Sequence, residues 1–161
     1  MKSLTSFVLA GTLLFAMPAF AQDAASSSAN TNMDILIQKI KADKKLLVAS
    51  NMELNDAEGK KFWPLYDSYQ KDLEKLNVRL GKVINEYADA YNKGSVPNDT
   101  AKRLLKETLA IDESELKLRK TSADKIGKVL SATKTARYIQ IENKIRAVLK
   151  ADLAANIPLV Y

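Results

Sequence analysis

The chain has 161 residues, 47% of them apolar and 27% charged, and its 25 lysines and arginines outnumber its 19 acidic residues. It contains neither cysteine nor histidine, which excludes disulfides, thiolate nucleophiles, zinc fingers and Ser-His-Asp triads. Only five glycines are present, which disfavours turn-rich β folds. The dominance of Ala, Leu, Lys, Glu and Asp predicts an all-α fold.

The N-terminus has the pattern of a secretory signal peptide. Lys2 supplies a positive charge, residues 7–16 are almost all apolar, and Pro18 precedes a small-residue cleavage site at 19–21. The alternative, a membrane anchor, needs about 20 consecutive apolar residues, and this run is shorter. We therefore predict that residues 1–21 are removed and that the mature protein is exported.

The mature chain divides into a tether and one helical domain. Residues 22–33 are rich in Ser, Ala and Asn without periodicity, which predicts a flexible tether. Residues 34–161 are expected to form a single all-helical domain. Its first helix is predicted at about 34–50, with Asp34 as its N-cap and with an apolar stripe on one face.

The second helix carries the strongest periodic signal in the chain. Aromatic and aliphatic residues alternate there in steps of four and three, as in a coiled coil. These residues are Phe62, Tyr66, Tyr69, Leu73, Leu76, Leu80, Val83 and Tyr87. We predict a very long helix from about Asn55 to 92–94, kinked at Pro64 and ended by Gly94.

Two helix starts in the chain resemble each other. Each has a leucine, a capping side chain and a polar residue three positions later: Leu54, Asn55 and Glu58 in the first, and Leu130, Ser131 and Lys134 in the second. Asn55 and Glu58 fit a capping box, whereas Lys134 cannot close one around Ser131. The simpler alternative is that the two starts are merely well-capped helices.

Two further helices complete the domain. The third is predicted to begin at a cap formed by Asn98 or Asp99 and to run to about Leu130. The fourth is predicted to begin after Ser131. Its apolar face is expected to consist of Tyr138, Ile141, Ile145, Val148 and Leu149. The apolar tail 157–161 cannot continue a helix through Pro158 and is expected to dock on the body.

These features together resemble the Spy/CpxP family of periplasmic chaperones, which carry two Leu-Thr-x-x-Gln motifs at helix starts. Both matching segments depart from that motif: Asn55 and Ser131 stand in place of Thr, and Glu58 and Lys134 in place of Gln. The signal peptide, the four predicted helices, the long second helix and the basic mature chain extend the likeness over nearly all of the mature sequence.

The resemblance implies an elongated, bent four-helix hairpin that dimerises into a cradle. The concave face of such a cradle would bind unfolded proteins without ATP. Some relatives damp a sensor kinase, and others bind metal ions. This chain has no His or Cys, so we expect neither a metal nor another cofactor.

The third helix holds the candidate client-binding residues. A helical projection places apolar residues, Leu105, Leu109 and Leu116 among them, on one face, and it places Asp112, Glu115 and Arg119 in the middle of that face. Three unpaired charges do not fit a buried face. The face is therefore either partly open for binding, or a packed face that carries a local Glu115–Arg119 pair with Asp112 at its rim.

Two other features suggest binding. Trp63 lies off the seam of the second helix, beside Pro64, and is the aromatic residue expected to make contacts. Basic residues cluster on the third helix, so the C-terminal half carries the positive charge of the chain. This cluster either attracts acidic partners or is a solvated face.

We hold two hypotheses for function. The first is an ATP-independent chaperone that binds unfolded or partly folded envelope proteins; the second is an envelope-stress regulatory or structural module that binds one folded partner. An enzyme is not expected, because no acid, base and nucleophile can be assembled. We expect no nucleic-acid partner outside the cytoplasm, a weak affinity for acidic surfaces, and a homodimer as the resemblance implies.

Overall fold

The structure, a computed structural model, describes residues 42–160. Within that range the chain forms four helices and no strand, which confirms the predicted all-α fold. We number the helices in chain order: α1 is described over 42–52, α2 is Asp56–Asn92, α3 is Asn98–Ile126, and α4 is Ala132–Asn156. The predicted signal peptide, the tether and the Asp34 cap lie outside the described residues.

Backbone contacts divide the chain into two compact units, Met1–Lys44 and Lys45–Tyr161. Of the first unit, the structure describes only residues 42–44, which are helical and belong to α1. All packing considered below lies within the second unit. Among the described residues, no helix is both long enough and apolar enough to cross a membrane.

The predicted boundaries of α2 are confirmed. The Asn55 Oδ1 atom accepts a hydrogen bond from the Glu58 backbone N–H at 2.9 Å, and the Asn55 N–H donates to Glu58 Oε2 at 3.0 Å. This is the predicted capping box, and it satisfies two of the helix's unpaired donors. Pro64 lies inside the helix. Beyond the last turn, Gly94 adopts a φ of 105°, a conformation that only glycine enters without steric cost.

The seam of α2 forms one side of the core. Its first five residues, Phe62, Tyr66, Tyr69, Leu73 and Leu76, are buried, whereas Leu80, Val83 and Tyr87 are half-buried. Tyr138 of α4 inserts among the aromatic rings, 5.1 Å from Phe62, 6.2 Å from Tyr66 and 6.3 Å from Tyr69 between ring centroids. We call these four residues the aromatic cluster. Edge-to-face pairs of this kind add stability beyond the apolar area that they bury.

Both predicted ends of α3 need correction. Pro97 occupies the N-cap position and makes no side-chain cap, so neither Asn98 nor Asp99 caps the helix. The helix begins one or two residues earlier than predicted, and Asp99 lies in its first turn, where its negative charge interacts favourably with the helix dipole. The helix ends at Ile126 rather than near Leu130, because Gly127 follows it and glycine loses the most backbone entropy in a helix.

The predicted start of α4 is confirmed, and its predicted apolar face is correct only in part, for Tyr138, Ile141 and Ile145. The Ser131 hydroxyl accepts from the Lys134 backbone N–H at 3.3 Å. The buried residues of α4 are Tyr138, Glu142 and Arg146, while Val148 and Leu149 are exposed. Ile141 and Ile145 are half-buried.

The tail beyond α4 is only partly attached to the body. The Tyr87 hydroxyl donates a hydrogen bond to the Pro158 carbonyl at 2.9 Å. Leu159 and Val160 remain exposed, so the predicted apolar docking of the tail does not occur at these two residues.

Candidate binding surface

Three leucines of α3 face solvent. Leu105 is 61% exposed, Leu109 59% and Leu116 47%. They lie within about 40° of one another around the helix axis and span about 17 Å along it. We call these three residues the leucine stripe. A helix within a packed bundle normally turns its leucines inward, so this face is available for contact with another molecule.

The buried side of α3 lies about 100° away around the helix and holds a different set of residues: Leu104, Ile111, Glu115, Ser122 and Ile126. The prediction that Glu115 lies in the middle of the open face is therefore wrong. The alternative prediction, a local Glu115–Arg119 pair, is also wrong. Glu115 pairs instead with Arg146 of α4, whose Nε donates to Glu115 Oε1 at 2.9 Å and whose Nη2 donates to Glu115 Oε2.

A row of polar side chains connects α4 with α2 and α3. Besides its bonds to Glu115, Arg146 donates from Nη1 to Asn77 Oδ1 at 2.9 Å. One turn earlier, Gln70 Nε2 donates to Glu142 Oε1 at 2.8 Å. We call these five residues the polar seam. Glu142 is 1% exposed and Glu115 3%, so both carboxylates depend on protein partners for their hydrogen bonds.

Sequence reasoning missed the polar seam. Tyr138, Glu142 and Arg146 are spaced four residues apart and therefore share one line along α4. That spacing was a usable signal, but a glutamate and an arginine in such a line are normally assigned to the solvent side. The Gln70 and Asn77 partners had no sequence signal, because their pairing depends on how the helices pack.

One edge of the leucine stripe is attached to α4. Asp112 Oδ1 accepts from Lys150 Nζ at 3.1 Å, and Arg119 Nη1 donates to Asn143 Oδ1 at 2.7 Å. Asp112 is exposed and Arg119 half-buried. Both predicted candidates thus border the stripe, yet each already has a partner within the protein.

The other edge of the stripe is basic. Its lysines are exposed and form no ion pair with another described residue; they are Lys102, Lys106, Lys117 and Lys120. Arg103 differs, because it forms two hydrogen bonds with Glu86 of α2, and this pairing holds the pKa of the Glu86 carboxyl below its usual value. The four lysines, which we call the lysine row, thus provide positive charge beside the exposed leucines.

Trp63 belongs mainly to the edge of the core. Its ring packs edge-on against Phe62 and Tyr66, at centroid distances of 5.0 and 5.4 Å. Lys45 Nζ lies 5.3 Å from the ring centroid, a cation–π arrangement. Only part of the indole remains accessible, so Trp63 offers less contact area than the leucine stripe.

The two similar helix starts are joined in the structure. Lys134 Nζ donates to Glu58 Oε2 at 2.6 Å and to the Glu53 carbonyl at 3.0 Å. The hydrogen bond from Lys134, followed by the one from the Asn55 N–H, lowers the pKa of the Glu58 carboxyl. Leu54 packs against the core cluster, and Leu130 belongs to it. Lys134 cannot close a capping box around Ser131, as expected, but its ammonium group forms an ion pair with Glu58 at the other helix start.

No family model matches the sequence, and no curated protein or solved structure shows significant similarity to the chain. Within residues 42–160, no group of three or more acidic, histidine or cysteine side chains is arranged to hold a metal ion. The likeness to the Spy/CpxP family therefore stays a prediction based on the sequence features given above.

Proposed function

We propose that this protein binds unfolded or partly folded proteins on the outer face of α3, without ATP, and so limits their aggregation. The observation that carries the proposal is the exposure of the leucine stripe. Large apolar patches on soluble proteins often mark interaction sites, and these three exposed leucines share one face of α3. Unfolded chains expose apolar side chains that a stripe of this kind can cover.

The surroundings of the stripe support transient rather than permanent contact. Asp112 borders the stripe and is paired with Lys150, so a polar group lies directly beside the apolar surface. The lysine row adds charges that accelerate the encounter with acidic chains. A permanent interface normally has few charged residues at its centre, whereas this face mixes apolar and charged groups over a short distance.

We further propose that the protein acts in the periplasm after removal of residues 1–21. The apolar run and the cleavage pattern at 19–21 support this, and so does the resemblance to the Spy/CpxP family. N-terminal sequencing of the protein recovered from the periplasm should begin at Gln22. Recovery of the full-length chain from the cytoplasm would contradict export.

The experiment that tests the proposed function is aggregation of unrelated clients. Two chemically unfolded proteins of different fold are diluted into buffer with and without the mature chain, in the absence of ATP, and light scattering is followed. We expect suppression of both clients at near-stoichiometric ratios. If neither client is protected while one folded envelope protein binds tightly, the chaperone proposal is wrong and the regulatory alternative is favoured.

A further inference from the structure

The packing of α4 changes along its length. Near its start, Tyr138 is fully buried in the aromatic cluster. One and two turns later, the buried positions are taken by Glu142 and Arg146, while the apolar Val148 and Leu149 face solvent. Beyond Tyr138, therefore, every buried residue of α4 is ionisable.

Several polar contacts hold this second part of α4, beside the half-buried Ile145 and Leu153. The polar seam joins Glu142 to α2 and Arg146 to both α2 and α3. At the surface, Asn143 and Lys150 add the two bonds to α3 that border the leucine stripe. These bonds specify where α4 lies, and each of them can be replaced by water.

Water affects the two parts of α4 in opposite ways. When a buried ion pair opens, both ions regain hydration, and this gain offsets much of the lost attraction. When an aromatic ring leaves the core, apolar surface is exposed with no compensation. The region from Glu142 onward therefore separates from the bundle at a lower free energy than the region around Tyr138.

We propose that residues 142–156 form a hinged arm, which opens from α2 and α3 while Tyr138 keeps the start of α4 in the aromatic cluster. Opening breaks the bonds of Arg146 to Glu115 and Asn77 and the bond from the Tyr87 hydroxyl to the Pro158 carbonyl just beyond the arm. It also breaks the Asp112–Lys150 and Arg119–Asn143 bonds and widens the accessible face of α3 beside the leucine stripe. The arm thereby regulates client binding, and this regulatory part rests on the proposed function.

Native-state hydrogen exchange of the full mature chain, in low concentrations of urea, tests the arm itself. Amides of 144–156 should exchange at least tenfold faster than amides around Tyr69. They should do so through a local opening whose free energy depends little on the urea concentration. If both groups of amides exchange only through global unfolding, with the same urea dependence, the arm does not exist.

Two variants of the polar seam test whether this seam is the reason that the arm opens. The double substitution Glu115→Leu with Arg146→Met replaces the buried pair with apolar side chains, and exchange of 144–156 should slow at least tenfold. Glu115→Gln keeps the shape but removes the charge, and exchange should become at least tenfold faster. The matched control is Glu86→Leu with Arg103→Met, which changes an exposed pair between α2 and α3 and should leave the exchange of α4 unaltered. If neither seam variant changes exchange in α4, the proposal is wrong.

Client protection by the same variants tests the regulatory part. The apolar double variant should need at least threefold more protein for equal suppression of aggregation, and Glu115→Gln should need less than the wild type. Equal suppression by all variants would overturn the regulation while the proposed function stands. If the wild type suppresses nothing, the proposed function fails together with the regulation, and the exchange data alone decide whether the arm exists.

Discussion

Each side of α3 contains residues that a surface helix normally places on the opposite side. The inner side contains a glutamate that is only 3% exposed, and the outer side contains leucines that are about half exposed or more. On the inner side, the bonds from Arg146 compensate for the burial of Glu115. On the outer side, nothing in the described part of the chain covers the leucines. The comparison teaches that the polarity of a side chain does not fix its side of a helix when a partner is supplied from another element.

The largest effect is expected from alkaline pH, which acts on the inner side of the bundle. Burial, followed by the charges of Glu142 and Glu115, raises the pKa of Tyr69 to about 12; burial and Glu142 raise the pKa of Tyr66 and Tyr138 as well. In the unfolded chain these hydroxyls ionise near pH 10. The contribution of these tyrosines to the free energy of unfolding is therefore fully present below about pH 10. Above that pH the free energy of unfolding falls by about 1.4 kcal/mol per pH unit for each tyrosine.

Urea unfolding between pH 8 and pH 11, compared with Tyr138→Phe, measures this effect. The Tyr138 hydroxyl is buried without a hydrogen-bond partner of good geometry among the described residues, although Gln70 lies near enough to favour its ionised form slightly. The substitution should therefore change the free energy of unfolding little at pH 7. Above about pH 10, the free energy of unfolding of the variant should fall less steeply than that of the wild type, by the contribution of one tyrosine. A free energy of unfolding that stays constant to pH 11 would show that these rings are not buried.

A matched pair of substitutions on α3 compares its two sides directly. Ile111 is 2% exposed and Leu109 is 59% exposed, although the two residues are only two positions apart. Ile111→Ala should lower the free energy of unfolding by about 2–5 kcal/mol, as is usual in a core. Leu109→Ala should change it by no more than about 0.5 kcal/mol. Similar losses for both variants, measured by urea unfolding, would mean that the outer side is packed after all.

A smaller effect is expected at the two joined helix starts. Asn55→Ala removes the acceptor for the Glu58 N–H and should cost about 1 kcal/mol. Ser131→Ala should cost the same or less, because its cap bond of 3.3 Å is longer. The unfolding midpoint in urea measures both. If neither substitution moves the midpoint, the two caps do not stabilise the fold.

Local signals in the sequence predicted most of the fold. The 4-3 seam of α2, the capping box at Asn55 and the cap at Ser131 depend on neighbours within a few residues, and the structure confirms them. The predicted N-cap of α3 was wrong, because Pro97 occupies that position although its side chain cannot form a cap. The placement of Glu115 on the leucine face of α3 was also wrong, and the apolar face of α4 was right only in part. Both depend on the pairing of Glu115 with Arg146, which are 31 positions apart, and no local pattern encodes that pairing.

The central claim is that the leucine stripe binds clients and does not support the fold. The most direct measurement combines melting temperature and aggregation suppression for Leu109→Ser with Leu116→Ser, using Leu46→Ser with Leu47→Ser of α1 as a matched control, since these leucines are also exposed. We expect both variants to melt within a few degrees of the wild type, and only the α3 variant to lose client protection. A large drop in melting temperature for the α3 variant, or full protection by it, would contradict the claim.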